Sequence, residues 1–126
     1  MPSKEMNSKI SLGKMGEDAA LEFLESRGMR LVERNWRWNH KEIDLIVESD
    51  EAMHFVEVKS LRAPALRKPY EAVGGLKQYH VARAAEHFIF ERHIRKEARL
   101  DVVSIEFFED GSFDLEYIPN AYYPIY

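Results

Sequence analysis

The chain has 126 residues, of which 45% are hydrophobic and 32% charged, with a formal net charge of −4 and no cysteine. That length and apolar content suit a single domain with one real core, and they exclude a disulfide framework, thiol redox chemistry and an apolar run long enough to span a bilayer. The polar start from Met1 to Ser11 lacks the apolar segment of a secretory signal, which points to a cytoplasmic address.

In chain order, Leu12, Gly16, Ala19, Ala20, Phe23 and Leu24 fall on one helical face, so a helix is expected from about Ser11 to Arg27, with Gly28 as its stop. Met29 to Trp36 reads as a first strand. Ile43, Leu45 and Val47 alternate against Glu42, Asp44, Ile46 and Glu48 in a second, and Phe55 to Lys59 forms a third; the polar link Ser49-Asp50-Glu51 makes these two a hairpin. Ser60 to Glu71, with two prolines and several basic residues, reads as a loop of functional length. A second helix is expected from about Val73 to Arg92, with Gln78, Val81, Ala85 and Phe88 on one stripe. Leu100 to Phe108 and Phe113 to Ile118 are strands joined by a turn at Asp110-Gly111. The expected fold is α/β, in the order αβββαββ, with a mixed central sheet flanked by helices. The strands before and after the second helix should be parallel neighbours through a right-handed crossover. The core spans about residues 11–118, between a polar N-terminal arm and an aromatic tail carrying Tyr122, Tyr123 and Tyr126 that docks on the body or on a partner.

Chemistry enters at the hairpin. With Asp50 and Glu51 as its loop, Ser49 faces Ala52, and counting outward puts Asp44 opposite Glu57, with Cβ atoms roughly 5 Å apart. Lys59 projects on the same side, two residues beyond Glu57. Like charges directly opposite destabilise a sheet, and a divalent cation would remove the conflict. Oxygen ligands suit Mg²⁺ or Mn²⁺, which keep several waters and take one or two carboxylates together with substrate phosphate oxygens. Such a metal can polarise a phosphodiester and activate a water, while an ammonium stabilises developing negative charge. The alternative is a surface salt-bridge ladder of Asp44, Glu57 and Lys59.

Glu17, at the margin of the first helix's apolar face, is a candidate further metal or water ligand, or simply an edge acid. Gln78, on the apolar stripe of the second helix, can hold a water, a phosphate or the Lys59 amine, or can be a satisfied buried amide. Lys59 to Arg83 carries six basic residues against Glu71 alone, a net +5, which suits contact with a polyanion or an ordinary solvated face. Arg62, Arg67, Lys68 and Lys77 are the candidate phosphate contacts there. Arg37, beside Trp36 and Trp38, is another; the two indoles can stack on unpaired bases or belong to the core. The five histidines show no zinc-binding spacing, and neither a Walker A loop nor a dinucleotide fingerprint is present.

Gly16-Glu17-Asp18-Ala19-Ala20, Asn35, Glu42-Ile43-Asp44-Leu45-Ile46, Phe55-Val56-Glu57-Val58-Lys59, Lys77-Gln78 and Leu100-Asp101-Val102-Val103 resemble the YraN-type family of bacterial proteins. That family is predicted to be endonuclease-like and is similar to the archaeal Holliday junction resolvases and the PD-(D/E)xK nucleases. The resemblance implies a restriction-endonuclease-like fold and Mg²⁺, with Asp44 and Glu57 as metal-binding acids, Lys59 as the catalytic lysine and Glu17 as the acid of the first helix. Lys41, where the family usually has glycine, and Leu61, where it usually has arginine, depart from the pattern. The expected function is a metal-dependent endonuclease acting on DNA, including branched DNA, with a two-fold homodimer as one arrangement. The alternative is a nucleic-acid-binding or partner-binding module that keeps the fold without efficient catalysis.

Overall fold

A computed structural model describes residues 4–64 and 75–121, with side chains described for 12–64 and 77–121. The elements are helix α1 (Lys4–Ser26), strands β1 (Arg30–Trp38), β2 (Lys41–Glu48) and β3 (Ala52–Arg62), helix α2 (Gly75–Glu91), and strands β4 (Glu97–Phe107) and β5 (Phe113–Ile118). All five strands form one mixed sheet in the order β1-β2-β3-β4-β5. Only β3 and β4, the two that flank α2, run parallel; the other pairs are antiparallel. No helix among the described residues is long and apolar enough to cross a membrane.

Each helix covers one face of the sheet. On α2's face, Val81, Ala82, Ala84, Ala85 and Phe88 bury Ile43, Ile46, Met53, Phe55, Leu100 and Val102. On α1's face, Ala20 and Leu24 pack with Leu45, Val47, Val56, Val103, Ile105 and Phe107. The sheet's two sides thus supply two cores rather than the single one expected, because β3 and β4 are apolar on both faces.

Both helices end alike. At α1, Gly28 N–H donates to Glu25 O (3.0 Å), Met29 N–H donates to Leu24 O (3.2 Å), and Gly28 has φ +88°, so the expected stop is a Schellman cap. At α2, the same pattern joins His93 to Phe90 and Ile94 to Ile89, with His93 at φ +53° in the place glycine favours.

Three further expectations change. Helix α1 begins at Lys4, within the stretch read as a polar arm. Strand β3 runs to Arg62, so Ser60, Leu61 and Arg62 belong to the sheet, held by parallel pairing with Ile105, Glu106 and Phe107 rather than looping out. The regular alternation of β2 also fails: Ile43 packs under α2 and Leu45 under α1, although a regular strand puts both on one face. The neighbouring strand breaks at the same level. Arg34 reaches α1 at Asp18 (2.7 Å), Trp36 packs edge-on against Phe88 of α2, and Asn35 between them has φ +52°. Asparagine is among the few side chains that tolerate this left-handed backbone. Arg67, Lys68 and the tyrosines of the tail lie outside the described residues.

Candidate metal and phosphodiester site

The break in the pleat falls at Asp44. Strands β2 and β3 pair from Glu48↔Met53 to Leu45↔Val56, and one further step in this register brings Asp44 to Glu57. The ladder stops short of that step. There the Asp44 carboxylate accepts the Val58 backbone N–H through Oδ2 at 2.8 Å. The side chain therefore sits where the strands part, beside Glu57.

Glu57 is buried, 3% exposed, on the face covered by α2. Its Oε1 lies 3.4 Å from Lys77 Nζ and 3.8 Å from Lys59 Nζ. Its Oε2 is buried with no hydrogen-bond partner among the described residues. Burial pushes the Asp44 carboxyl up to about 7, reinforced by the charge of Glu57 and opposed by the Val58 N–H. Burial also raises Glu57, against the pull of Lys77 and Lys59. Two acids in one poorly hydrated place cannot both ionise cheaply, so a proton or a cation must share the site.

The donor set fits a hard divalent cation. Asp44 and Glu57 supply two carboxylates, and Glu57 Oε2 is an unsatisfied buried acceptor; Mg²⁺ asks for one or two carboxylates plus waters and phosphate oxygens. Glu17 does not complete a three-carboxylate cluster. Its oxygens accept from Arg34 Nε (3.2 Å) and Asn35 Nδ2 (3.1 Å), and no group of three His, Cys, Asp or Glu side chains capable of holding a metal occurs among the described residues. Glu17 stays near enough for its charge to add to the raising of Asp44.

Lys59 is where the sequence puts it, partly exposed and paired with Glu57. Lys77, expected only to touch phosphates, joins the same carboxylate; helix α2 delivers it across 20 residues of chain that local spacing does not see. Gln78 is half-buried at the start of the apolar face of α2. Arg62 is exposed at the end of β3, and Arg37 pairs with Glu42 at 3.1 Å. Trp38 is not a free stacking platform: His87 stacks against its ring at 4.3 Å, and Lys41 sits 4.8 Å from its centroid. Asn35, for which sequence reading gave no role, bridges Glu17 and Glu42 through Nδ2, at 3.1 Å to each. The one local signal for it was an asparagine interrupting a strand of arginines and tryptophans.

A second buried polar cluster lies at the opposite end of β3. His54 Nδ1 is 2.7 Å from Asp101 Oδ2 and its Nε2 is 2.9 Å from Ser49 Oγ, while Asp101 also accepts from Tyr117 OH and from Asn120 N–H, each at 2.7 Å. The order of groups resembles a nucleophilic triad. Ser49 Oγ, however, accepts the Ala52 N–H at 3.1 Å and closes the β2–β3 turn, so the cluster ties that turn to β3, β4 and β5.

The model of "Uncharacterised protein family UPF0102" matches residues 16–105. The chain is 40% identical to a UPF0102 protein of Dictyoglomus turgidum over 119 residues, covering 93% of this chain and all of that one. It is 40% identical to another, from Desulforapulum autotrophicum, over 117 residues, covering 92% and 96% of the two chains. The chain belongs to the UPF0102 family. The match to the UPF0102 model takes in Glu17, Asp44, Glu57, Lys59 and Lys77 and stops just short of the last residues of β4.

Proposed function

We propose that this UPF0102 protein is a divalent-metal-dependent endonuclease that hydrolyses phosphodiester bonds in DNA, with a restriction-endonuclease-like fold. The observation that carries the reading is the buried Glu57, one oxygen unpartnered among the described residues, beside a second carboxylate and facing two ammonium groups. A salt-bridge ladder would leave neither acid raised nor an acceptor unsatisfied.

In this reading Asp44 and Glu57 hold the cation, which when bound supplies charge to a phosphate oxygen and a water more acidic than bulk water. The Val58 N–H, donated to Oδ2, anchors the Asp44 carboxylate beside Glu57. Lys59, the more exposed end of the pair it makes with Glu57, faces the attacking water and the phosphate, where its ammonium stabilises the charge that gathers as water adds to phosphorus and the ester P–O bond breaks. Lys77 favours the ionised form of Glu57 against its burial and can follow the phosphate. Arg34 and Asn35 orient Glu17, whose carboxylate keeps the site acidic without joining it. The test is cleavage of linear, single-stranded, flapped and four-way DNA with Mg²⁺, Mn²⁺ or chelator. Metal-dependent cutting that Glu57→Gln abolishes supports the reading; a chain that binds these DNAs but never cuts them is a binding module.

A further inference from the structure

Beside the carboxylate pair lies a cavity of about 380 Å³ lined by His40, Lys41, Glu42, Lys77, His80 and Val81. Among the described residues that line it, four of six are lysine or histidine. The one acid among them, Glu42, is already held by Arg37 at 3.1 Å and by Asn35 at 3.1 Å. Lys77 lines this cavity and also reaches Glu57, at 3.4 Å.

The hairpin between β1 and β2 builds the other side. Trp38 pairs with Lys41, so Asn39 and His40 form a two-residue turn, and both have positive φ (51° and 63°). Such turns favour asparagine followed by glycine. Histidine in the glycine position carries backbone strain, and strain of this kind is retained where surrounding structure over-determines it and the side chain has a use. The turn is braced: Trp38 stacks on His87 of α2, and Lys41 Nζ lies 4.8 Å from the centroid of the Trp38 ring. Lys41 and His40 of the hairpin and Lys77 and His80 of α2 are thereby held in a fixed relation across the cavity.

We infer that this cavity is a phosphate subsite, taking a phosphodiester next to the one at Asp44 and Glu57. Lys41 and Lys77 supply charge, and the imidazoles of His40 and His80 supply ring N–H donors. Lys41 lies three residues before Asp44, about 10 Å along an extended strand, within reach of the phosphates that follow the scissile one. A nucleic-acid strand would then leave the carboxylates across Lys77 towards the tip of the β1–β2 hairpin. The inference rests on the nuclease reading for the identity of the polyanion, while the anion chemistry of the cavity stands by itself.

The experiment uses the full chain in Ca²⁺, chosen to occupy the carboxylates without cleavage. Inorganic pyrophosphate, then a short duplex DNA, is titrated while the ring signals of the histidines are followed by NMR, with His40→Gln and His80→Gln used to assign them. The signals of His40 and His80 should move with both probes, and more than that of His93. Lys41→Ala with His80→Ala should weaken DNA binding about tenfold and lower the salt slope by about one. Signals of His40 and His80 that stay still with both probes overturn the subsite. Movement with pyrophosphate but not with DNA, while DNA binds, identifies a free-phosphate site and overturns the strand path, leaving the nuclease reading intact. Movement with pyrophosphate in a protein that binds no DNA keeps the anion site and removes the nuclease reading.

Discussion

The decisive side chains act through their electrostatic surroundings. Asp44 is an ordinary aspartate whose burial and proximity to Glu57 hold it near 7, and that shift has a consequence for folding. The folded state keeps a proton that the unfolded chain has already released, so without metal, stability is fully present below the unfolded aspartate value near 4 and is lost as pH rises towards 7. The expected loss is of order a few kcal/mol, visible as a falling melting temperature between pH 4 and 7 that Asp44→Asn reduces, the remainder belonging to Glu57. A melting temperature equally flat in both proteins over that range contradicts the shift. Lys59 makes the other prediction at this scale. Removing one preorganised charge-stabilising donor costs about 10²–10³ in rate, so Lys59→Ala should slow cleavage by that order while leaving DNA affinity nearly unchanged. Because Lys77 also reaches Glu57, the double variant should lose more than the two single effects multiplied together; single-turnover rates decide both points.

At the scale of elements, the approach of α1 to β3 governs how the first helix serves the site. Gly16 is buried, and a Cβ there would overlap Ser60 Oγ and stand 3.0 Å from Ser60 Cβ. Alanine is a better helix former by about 1 kcal/mol, but overpacking costs about 1–3 kcal/mol; the serine hydroxyl can turn away and its Cβ cannot. Gly16→Ala should therefore destabilise by up to about 2 kcal/mol in chemical denaturation, and Ser60→Ala in that background should recover part of it. A Gly16→Ala protein more stable than the parent would show that the two elements are not in this contact. The elements themselves were largely legible. The helical stripe of α1, the Gly28 stop, the Ser49–Ala52 turn and the Asp110-Gly111 turn are local signals, and the turn alone sets the register that leads Asp44 to Glu57. What could not be read was non-local. The reversal of faces at Asn35 and Asp44 arises from two strands breaking together, and the extension of β3 past Lys59 depends on β4 being there to pair with it.

For the whole molecule, the two ends of the β2–β3 pairing carry different burdens. The end of β3 near Ser49 is closed by a satisfied polar network, whereas the end near Glu57 holds paired acids and an unsatisfied oxygen at the place where β2 and β3 separate. Stability is concentrated at one end and given up at the other, as expected where function needs an uncomfortable arrangement of charge. Sequence reading reached the pair of acids and Lys59 because all three lie on one hairpin; it missed the role of Lys77, and the cavity behind it, because only the packing of α2 brings them there. The central claim is that Asp44 and Glu57 form a cation site, and melting with and without Mn²⁺ tests it without knowledge of the substrate. A ligand bound only by the folded state stabilises by about 2.7 kcal/mol at a hundredfold excess over its Kd, and asparagine is a poor substitute for a carboxylate ligand. At pH 7 without metal, Asp44→Asn should melt at or above the temperature of the parent chain, and saturating Mn²⁺ should reverse that order by raising the parent alone. A variant that melts lower without metal, with both proteins responding equally to Mn²⁺, would contradict the cation site.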